Sequence, residues 1–384
     1  FFNMLQTNAF GNYADLLRAL SKHAAMGEYL DNFQNRRDQL NENYGRELMQ
    51  LFSVGLVQLN MNGTIKKDAT GKPLETYSQK DVIEISRALT GWKWAEPDIK
   101  RKGSNWANFR KPMAPQWPNQ HDTDSKVVLG KTIPAGQDAY KDLDSLVEIL
   151  VTHPNTAPFV SLRLIQGMTT SDPSPAYLER VATVFKDTKG NLGRVVTAIL
   201  LDPEARAGDD PKYQFPRIGK IKEPILFHMS FLRALGCKSA ISSRNNPSYL
   251  YDAQQNPYQA LSVFGFFAPN HKAPESLTPA PEQKLIGSDE VRRKVTSLSW
   301  EMKVISNFTN AGCDIDVFIK ASERSAEELV QLISVRYFKG AMPAPLREGA
   351  LNLLSSALLN EPHLRKVALL IETLTTTPTF GVIK

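Results

Sequence analysis

Arg46 and Glu47 are neighbouring ionisable residues in a segment of helical periodicity, with Asn43 four residues before Glu47 and Gln50 four after Arg46. Residues at that spacing lie side by side on a helix surface. A carboxylate at Glu47 has the chemistry of a general acid, a general base or a metal ligand, and a guanidinium at Arg46 that of an anion clamp. Further along, His121-Asp122, followed by Asp124, adds an imidazole and two carboxylates. Together with Glu47 these are the ligand types of an oxygen-and-imidazole metal site. Each group also has a structural reading, which is preferred. Arg46 and Glu47 can tie loops to their helix as buried polar groups, and His121, Asp122 and Asp124 can stabilise their own loop. The candidate catalytic residues are therefore Glu47, Arg46, His121 and Asp122, with Glu47, His121 and Asp122 as candidate metal ligands and no cofactor assigned.

Familiar signatures of other chemistry are absent. Gly130-Lys131-Thr132 has the ending of a phosphate-binding loop, but the glycine required five residues before Gly130 is Ser125. No H-E-x-x-H, G-x-S-x-G or G-x-G-x-x-G occurs. Asn60-Met61-Asn62-Gly63-Thr64 lacks the calcium-loop pattern and its closing Glu, so it reads as a turn. The two cysteines, Cys237 and Cys313, stand in no C-x-x-C pair and near no His at zinc spacing; two buried thiols and one disulfide remain open.

Composition narrows the class. The 384 residues are 42% hydrophobic and 22% charged, ordinary for a globular chain long enough to bury a sizeable core. No run of 18 apolar residues occurs, so no membrane-spanning helix is expected. Lys and Arg outnumber Asp and Glu by 46 to 40. That weak positive bias suits an anionic polymer, but without clustered basic residues or a groove-reading motif nucleic acid is not expected. Lys100-Arg101-Lys102 reads as a solvated loop.

The elements that must position the candidates are mostly helices. Tyr44, Leu48, Leu51, Phe52 and Gly55 recur on one helical face, with Asn41 or Asn43 to cap the start. Ser78-Gln79-Lys80-Asp81 has capping-box spacing, and Val82, Ile85, Leu89 and Trp92 follow as an apolar face with Gly91 suited to a stop. Between these helices, turn formers predict a small β-hairpin near 63–74 projecting from the body. His23 and His153 are read as helix-start residues. Helical patterns return over 142–150, 175–185, 192–201, 222–235, 289–306, 325–337, 345–358 and 364–374. Two long aromatic-rich connections interrupt them. Residues 93–134 carry Trp94, Trp106, Phe109 and Trp117, and residues 239–288 carry Phe264, Phe266 and Phe267. Aromatic residues in such loops are read first as buried anchors, second as platforms for sugars or bases. The expectation is an all-α, multi-helix globular protein with a minor hairpin. It is read as one domain over 1–384, with any subdivision near 207–213 or within 239–288.

Several of these segments also carry a resemblance. Asn41-Glu42-Asn43-Tyr44-Gly45-Arg46-Glu47-Leu48 and Leu51-Phe52-Ser53-Val54-Gly55 resemble the signature of the bacterial family catalogued as domain of unknown function 1800. The likeness continues through Arg87-Ala88-Leu89-Thr90-Gly91-Trp92, His121-Asp122, Lys126 and His153-Pro154-Asn155-Thr156-Ala157-Pro158-Phe159-Val160. It reaches Thr377-Pro378-Thr379-Phe380 near the other end. The resemblance implies a mostly helical fold and a periplasmic, cell-surface or extracellular location. It also implies an exported sulfatase-like companion encoded nearby, and a further N-terminal helical part. The last agrees with Phe1-Phe2-Asn3-Met4-Leu5, which reads as the middle of an apolar segment, so the chain is expected to lack its true start. No reaction is implied. Two function classes follow: a binding or assembly component acting with a partner protein or cell-surface polymer, and, as the alternative, a metal-dependent or hydrolase-like enzyme using Glu47, His121 and Asp122.

Overall fold

The computed structural model describes residues 1–95, 108–115, 118–209, 219–237, 287–307 and 312–383, with positions 255, 259–260, 265–268, 271–272, 279 and 281–282 between them. The Lys100-Arg101-Lys102 cluster, Trp106, Trp117, Phe264 and most of the second aromatic-rich connection lie outside the described residues. Helices dominate, and the described strands form three separate antiparallel pairs, so the class is all-α. Contacts divide the chain into two units: Phe1–Met168 with Pro173–Arg206, and Thr169–Asp172 with Ala207–Lys384.

The first unit begins with α1 (Phe2–Asn8), α2 (Tyr13–Lys22) and α3 (Ala24–Tyr29), then α4 (Asn43–Gln50) and α5 (Gln79–Ala88). Short strands follow: β1 (Trp92–Trp94) pairs with β2 (Met113–Pro115), and β3 (Lys126–Val128) with β4 (Lys131–Ile133). The unit closes with α6 (Ala139–Thr152), α7 (Thr156–Met168), α8 (Pro175–Asp187), α9 (Leu192–Leu201) and α10 (Pro203–Arg206). Tyr44 and Leu48 of α4 and Val82 and Ile85 of α5 point into one core, which Leu143, Leu146 and Leu150 of α6 complete. Complete burial of each such aliphatic side chain is worth roughly 1.5–3 kcal/mol. A second core gathers Ile165, Tyr177, Val181, Phe185, Val195 and Ile199 from α7, α8 and α9.

Local chemistry sets the boundaries. The N-cap position of α4 is Glu42, whose side chain makes no cap bond; Asn41, one residue earlier, accepts from the Asn43 N–H (3.0 Å) and so satisfies one free donor of the helix start. Periodicity carried that helix to Gly55, but α4 stops at Gln50. The Gly55 N–H bonds back to the Met49 carbonyl while Gly55 takes a φ of 69°, so the chain closes the helix and turns away early. Ser78 and Asp81 form the reciprocal capping box of α5. The hairpin segment forms no named strand; its bridges are Val57–Glu75, Leu59–Ile65 and Lys67–Pro73 around two turns. Its base is anchored: Leu59 is buried in the second core, and a Cβ on Gly63 would meet the Leu178 side chain at 2.4 Å. Its outer turn over 67–73 is exposed, and a Cβ on Gly71 would meet nothing within 4 Å, so that end stands out from the helices.

The second unit contains β5 (Lys220–Ile221), paired with β6 (Val382–Ile383), and six helices among its described residues. These are α11 (Pro224–Ala234), α12 (Ser288–Asn307), α13 (Ile315–Arg324), α14 (Ala326–Phe338), α15 (Ala344–Ser355) and α16 (His363–Thr375). Phe231, Met302, Phe318, Ile333, Leu354, Val367 and Ile371 form its core. A disulfide joins Cys237 to Cys313, settling the choice that spacing left open.

Candidate functional site: a buried charge brace

Three charged residues on one face of α5, each three positions after the last, reach across to the segment around β3. Asp81 accepts from the Leu129 N–H and Glu84 from the Val127 N–H, both at 2.8 Å. Arg87 grips Asp122 with two bonds, Nε to Oδ2 at 2.7 Å and a terminal nitrogen to Oδ1 at 3.2 Å. Its other terminal nitrogen donates to both Glu84 oxygens, at 2.9 and 3.0 Å. The Asp122 carboxylate also accepts from the Asp124 N–H (2.9 Å), and its own N–H donates to the Thr90 hydroxyl (2.8 Å). Burial pushes the Asp122 carboxyl up, but the Arg87 and Asp124 bonds and the Arg87 and Lys126 charges outweigh it and hold the group below the usual carboxylate range.

Beneath this layer lies a second one with no exposure at all. Lys126 and Asp142 are each 0% exposed at the side chain, and Nζ stands 2.7 Å from Oδ2. The ammonium also donates to the carbonyls of Asp122 and, at 2.9 Å, Asp124, while its contact with Asp142 Oδ2 is an ion pair without hydrogen-bond alignment. With the Gln137 amide turned so that its nitrogen faces the acceptors around it, that nitrogen donates to the other Asp142 oxygen at 3.0 Å. The His121 ring completes the layer: Nδ1 lies 3.0 Å from the Thr90 carbonyl, and Nε2 lies 3.3 Å from Asp142 Oδ2 without hydrogen-bond alignment. Gly91, with a φ of 85°, makes room for this ring; a Cβ there would meet the His121 Cβ at 3.0 Å and backbone nitrogen at 3.1 Å.

The sequence candidates therefore separate. His121 and Asp122 are buried and tied to α5 and α6. Arg46 turns back to Glu42 (2.8 Å, i,i+4), and Gln79 donates to the same carboxylate at 2.9 Å. Glu47 is half-buried, with Oε2 enclosed and free of hydrogen bonds. Burial raises its carboxyl above the usual range, and the Arg46 charge only partly offsets this. No hydrogen bond or ion pair joins Glu47 to His121 or Asp122 among the described residues. Nor does any group of three or more His, Cys, Asp or Glu among them have the placement to hold a metal ion. Chemically the arrangement is a brace: among the described residues it joins α5, α6 and the β3 segment through bonds to Asp81, Glu84, Arg87, Asp122, Lys126 and Asp142.

Two partners escaped sequence reasoning. Asp142 looks like an ordinary acid in the first turn of an amphipathic helix, and nothing in its spacing announces that it meets Lys126 of β3. The triplet Asp81, Glu84 and Arg87 did carry a signal, since charges three apart share one helix face. Asn155 escaped as well: it is buried, accepts from the Leu59 N–H at 2.5 Å and donates to the Val54 and Val57 carbonyls at 2.6 and 2.9 Å. His23 and His153 each accept at Nδ1 from the backbone N–H two residues on, at 3.1 and 3.2 Å, as helix-start residues do. In the first aromatic-rich loop, Trp94 stacks on Phe33 (4.7 Å) as an anchor, whereas Phe109 is 48% exposed; Trp92, read on the apolar face of α5, lies beyond that helix in β1 and meets Tyr140 edge-on (5.1 Å).

No curated protein and no solved structure matches this chain. Residues 2–382 do match the family model described as "Protein of unknown function (DUF1800)", which spans both units, and the chain belongs to that family.

Proposed function

We propose that this protein is an extracytoplasmic binding component whose first unit receives a short apolar segment of another polypeptide. The observation that carries this reading is an open groove lined by Phe10, Asn191, Gly193, Arg194, Val196, Thr197, Leu200 and Leu201. Phe10 is 70% exposed and Leu201 65%, yet neither belongs to a loose end. The Leu192 N–H donates to the Gly11 carbonyl and the Tyr13 N–H to the Gly190 carbonyl, each at 2.8 Å, pinning the chain just after Phe10, while the Gly11 N–H bonds back across Phe10 to the Asn8 carbonyl at 3.1 Å. An exposed ring on a fixed backbone is preorganised for contact and loses little freedom on binding. Clustered exposed apolar side chains rimmed by polar ones mark interaction surfaces. The lining has no carboxylate and no Trp or Tyr face for a sugar, which favours a peptide over a polysaccharide. Eight residues are also well short of the roughly 20–30 a side in a stable protein interface, which favours a short segment over a second copy. The Cys237–Cys313 bridge supports an oxidising, extracytoplasmic setting.

A photoreactive amino acid at Leu201, activated in living host cells, tests this. One discrete adduct with a different polypeptide, lost when Phe10→Asp is added, is the expected result. An adduct only with a second copy, a polysaccharide smear, or no adduct overturns it. Thiol trapping before lysis checks the location: Cys237 and Cys313 should resist alkylation until reduced.

A second reading, an enzyme using Glu47, has one observation in its favour, the enclosed and unbonded Oε2 beside Arg46. Perturbed carboxyls of this kind gather at active sites, although ion-pair networks produce them as well. Measuring the protein's stability after Glu47→Gln separates the two, as developed in the Discussion.

A further inference from the structure

Two lysines of the second unit stand apart from every ion pair described above. Lys222 follows β5 and Lys294 lies on α12. The Lys222 ammonium sits 4.1 Å from the centre of the Phe380 ring, and the Lys294 ammonium 4.0 Å from the centre of the Phe227 ring. These two rings meet edge to face with centres 5.1 Å apart, so the amines are carried on adjoining surfaces of one buried aromatic pair. Both lysines are half-buried, and among the described residues each ammonium rests on its ring with no carboxylate or hydrogen-bond partner. The backbone holds the arrangement in place: the Lys222 N–H donates to the Gly381 carbonyl at 2.8 Å. Gly381 leaves room for the second amine, since a Cβ there would lie 3.2 Å from Lys294 Nζ. Lys339, the residue that ends α14, adds a third positive charge felt at Lys222.

Ring faces attract ammonium groups, worth about 0.5–1 kcal/mol at exposed sites and about 2 or more when desolvated. They supply no counter-charge, so mutual repulsion remains. It adds to burial at Lys222, whereas at Lys294 burial alone acts. Burial, with the charges of Lys339 and Lys294, pushes Lys222 down to about 8, and burial pushes Lys294 to about 8. Lysine stems often cover apolar surface while the heads stay in water, and that bland role accounts for one such residue well. It does not account for two amines set on one touching pair of rings with no acid beside either among the described residues.

We propose that Lys222 and Lys294 form a binding site for a compact oxyanion, a phosphate or sulfate group either free or carried as an ester. Such a group accepts from several N–H donors at once and cancels the repulsion between them. The site belongs to the second unit and stands independently of the groove beside Phe10.

The test is amine labelling of the intact protein at pH 8, read residue by residue by peptide mass spectrometry. Inorganic phosphate, inorganic sulfate, and methyl phosphate as the ester, are added in parallel at constant ionic strength. At least one oxyanion should slow labelling of Lys222 and Lys294 together by about tenfold or more, leaving the exposed Lys320 unchanged; a tenfold change corresponds to about 1.4 kcal/mol. Stronger protection by methyl phosphate than by phosphate points to an ester-borne group, and the reverse points to a free anion. Calorimetric titration with the protecting anion should show affinity reduced at least tenfold in Lys222→Met and in Lys294→Met. Gly381→Val, which keeps both lysines but crowds Nζ of Lys294, should weaken binding too. Labelling that none of the three anions alters, equal protection at Lys320, or undiminished affinity in both methionine variants overturns the proposal. The labelling arm uses only the unmodified chain, so a variant that fails to fold does not remove the test.

Discussion

Asp142→Asn removes a charge from the most deeply buried ion pair described here while nearly keeping the side chain's shape. In the native fold the Lys126 ammonium has no exposure and depends on Asp142 for its only close counter-charge, at 2.7 Å. The two backbone carbonyls that remain can accept its protons but cannot cancel the charge. Breaking a buried pair by neutralising one partner costs about 3–5 kcal/mol, because the other ion keeps its desolvation penalty. Lys126→Met is the converse change and should cost about the same, since it strands Asp142 with the Gln137 amide and the His121 ring. The double variant Lys126→Met/Asp142→Asn buries no ion. Its remaining penalty is two carbonyls without donors, about 1–3 kcal/mol each. The double variant should therefore cost about as much as one single variant, well short of the sum. Urea unfolding followed by far-UV circular dichroism measures this, with transitions of the two units fitted separately where they resolve. Costs below about 1 kcal/mol for both single variants, the range of exposed pairs, would refute the brace. So would strict additivity.

Three further outcomes follow from the same geometry. Asp122 is held below its ordinary range in the fold, so its contribution is present above the unfolded value of about 3.9 and is lost as pH falls through the lower folded value. Asp122→Asn should then destabilise at pH 7 and match the native protein in strong acid; a cost independent of pH would contradict the Arg87 pairing. Glu47 runs the other way: its folded value is raised, so its charged form costs stability at neutral pH and the cost fades below the unfolded value of about 4.3. Glu47→Gln should raise the thermal midpoint at pH 7 and leave it unchanged near pH 4, and a loss at pH 7 would mean that the carboxylate has a stabilising partner. A stability gain that also abolished a measurable activity would mark Glu47 as a working acid, since active sites are commonly kept at a cost in stability. Finally, the Cys237–Cys313 bridge spans a sequence separation of 76 residues. Restricting an unfolded loop of that length is worth about 4–5 kcal/mol in the chain-entropy account, so dithiothreitol should lower the second unit's urea midpoint, and an unchanged midpoint would count against the bridge.

Much of the fold was legible because it depends on neighbours in sequence. The Ser78–Asp81 capping box, the Asn41 bond at the start of α4 and the apolar face through Val82, Ile85 and Leu89 are short-range features, and the structure contains each. Most helices predicted after residue 170 agree within a few positions, as at α14 and α16. The end of α4 was misread because Leu51 and Phe52 continue the helical pattern. The closure at Gly55 depends on its positive φ and on packing against Phe159, more than a hundred residues away.

Residues 41–94 by themselves determined the family, the two helices and the polar residues in need of partners. Which partners they find was a tertiary decision. Arg46 takes Glu42 from its own helix, Asp122 takes Arg87, and His121 settles against Asp142 beside Lys126. Glu47 is left enclosed with an unbonded oxygen. The physical reason is one of range. Caps and periodicity are set by bonds within a few residues, whereas the cost of burying a charge depends on every group brought around it. Only the packing of α5, α6 and β3 together brings Lys126 and Asp142 to 2.7 Å in a space without water-exposed surface, and it is this packing that makes His121 and Asp122 a brace.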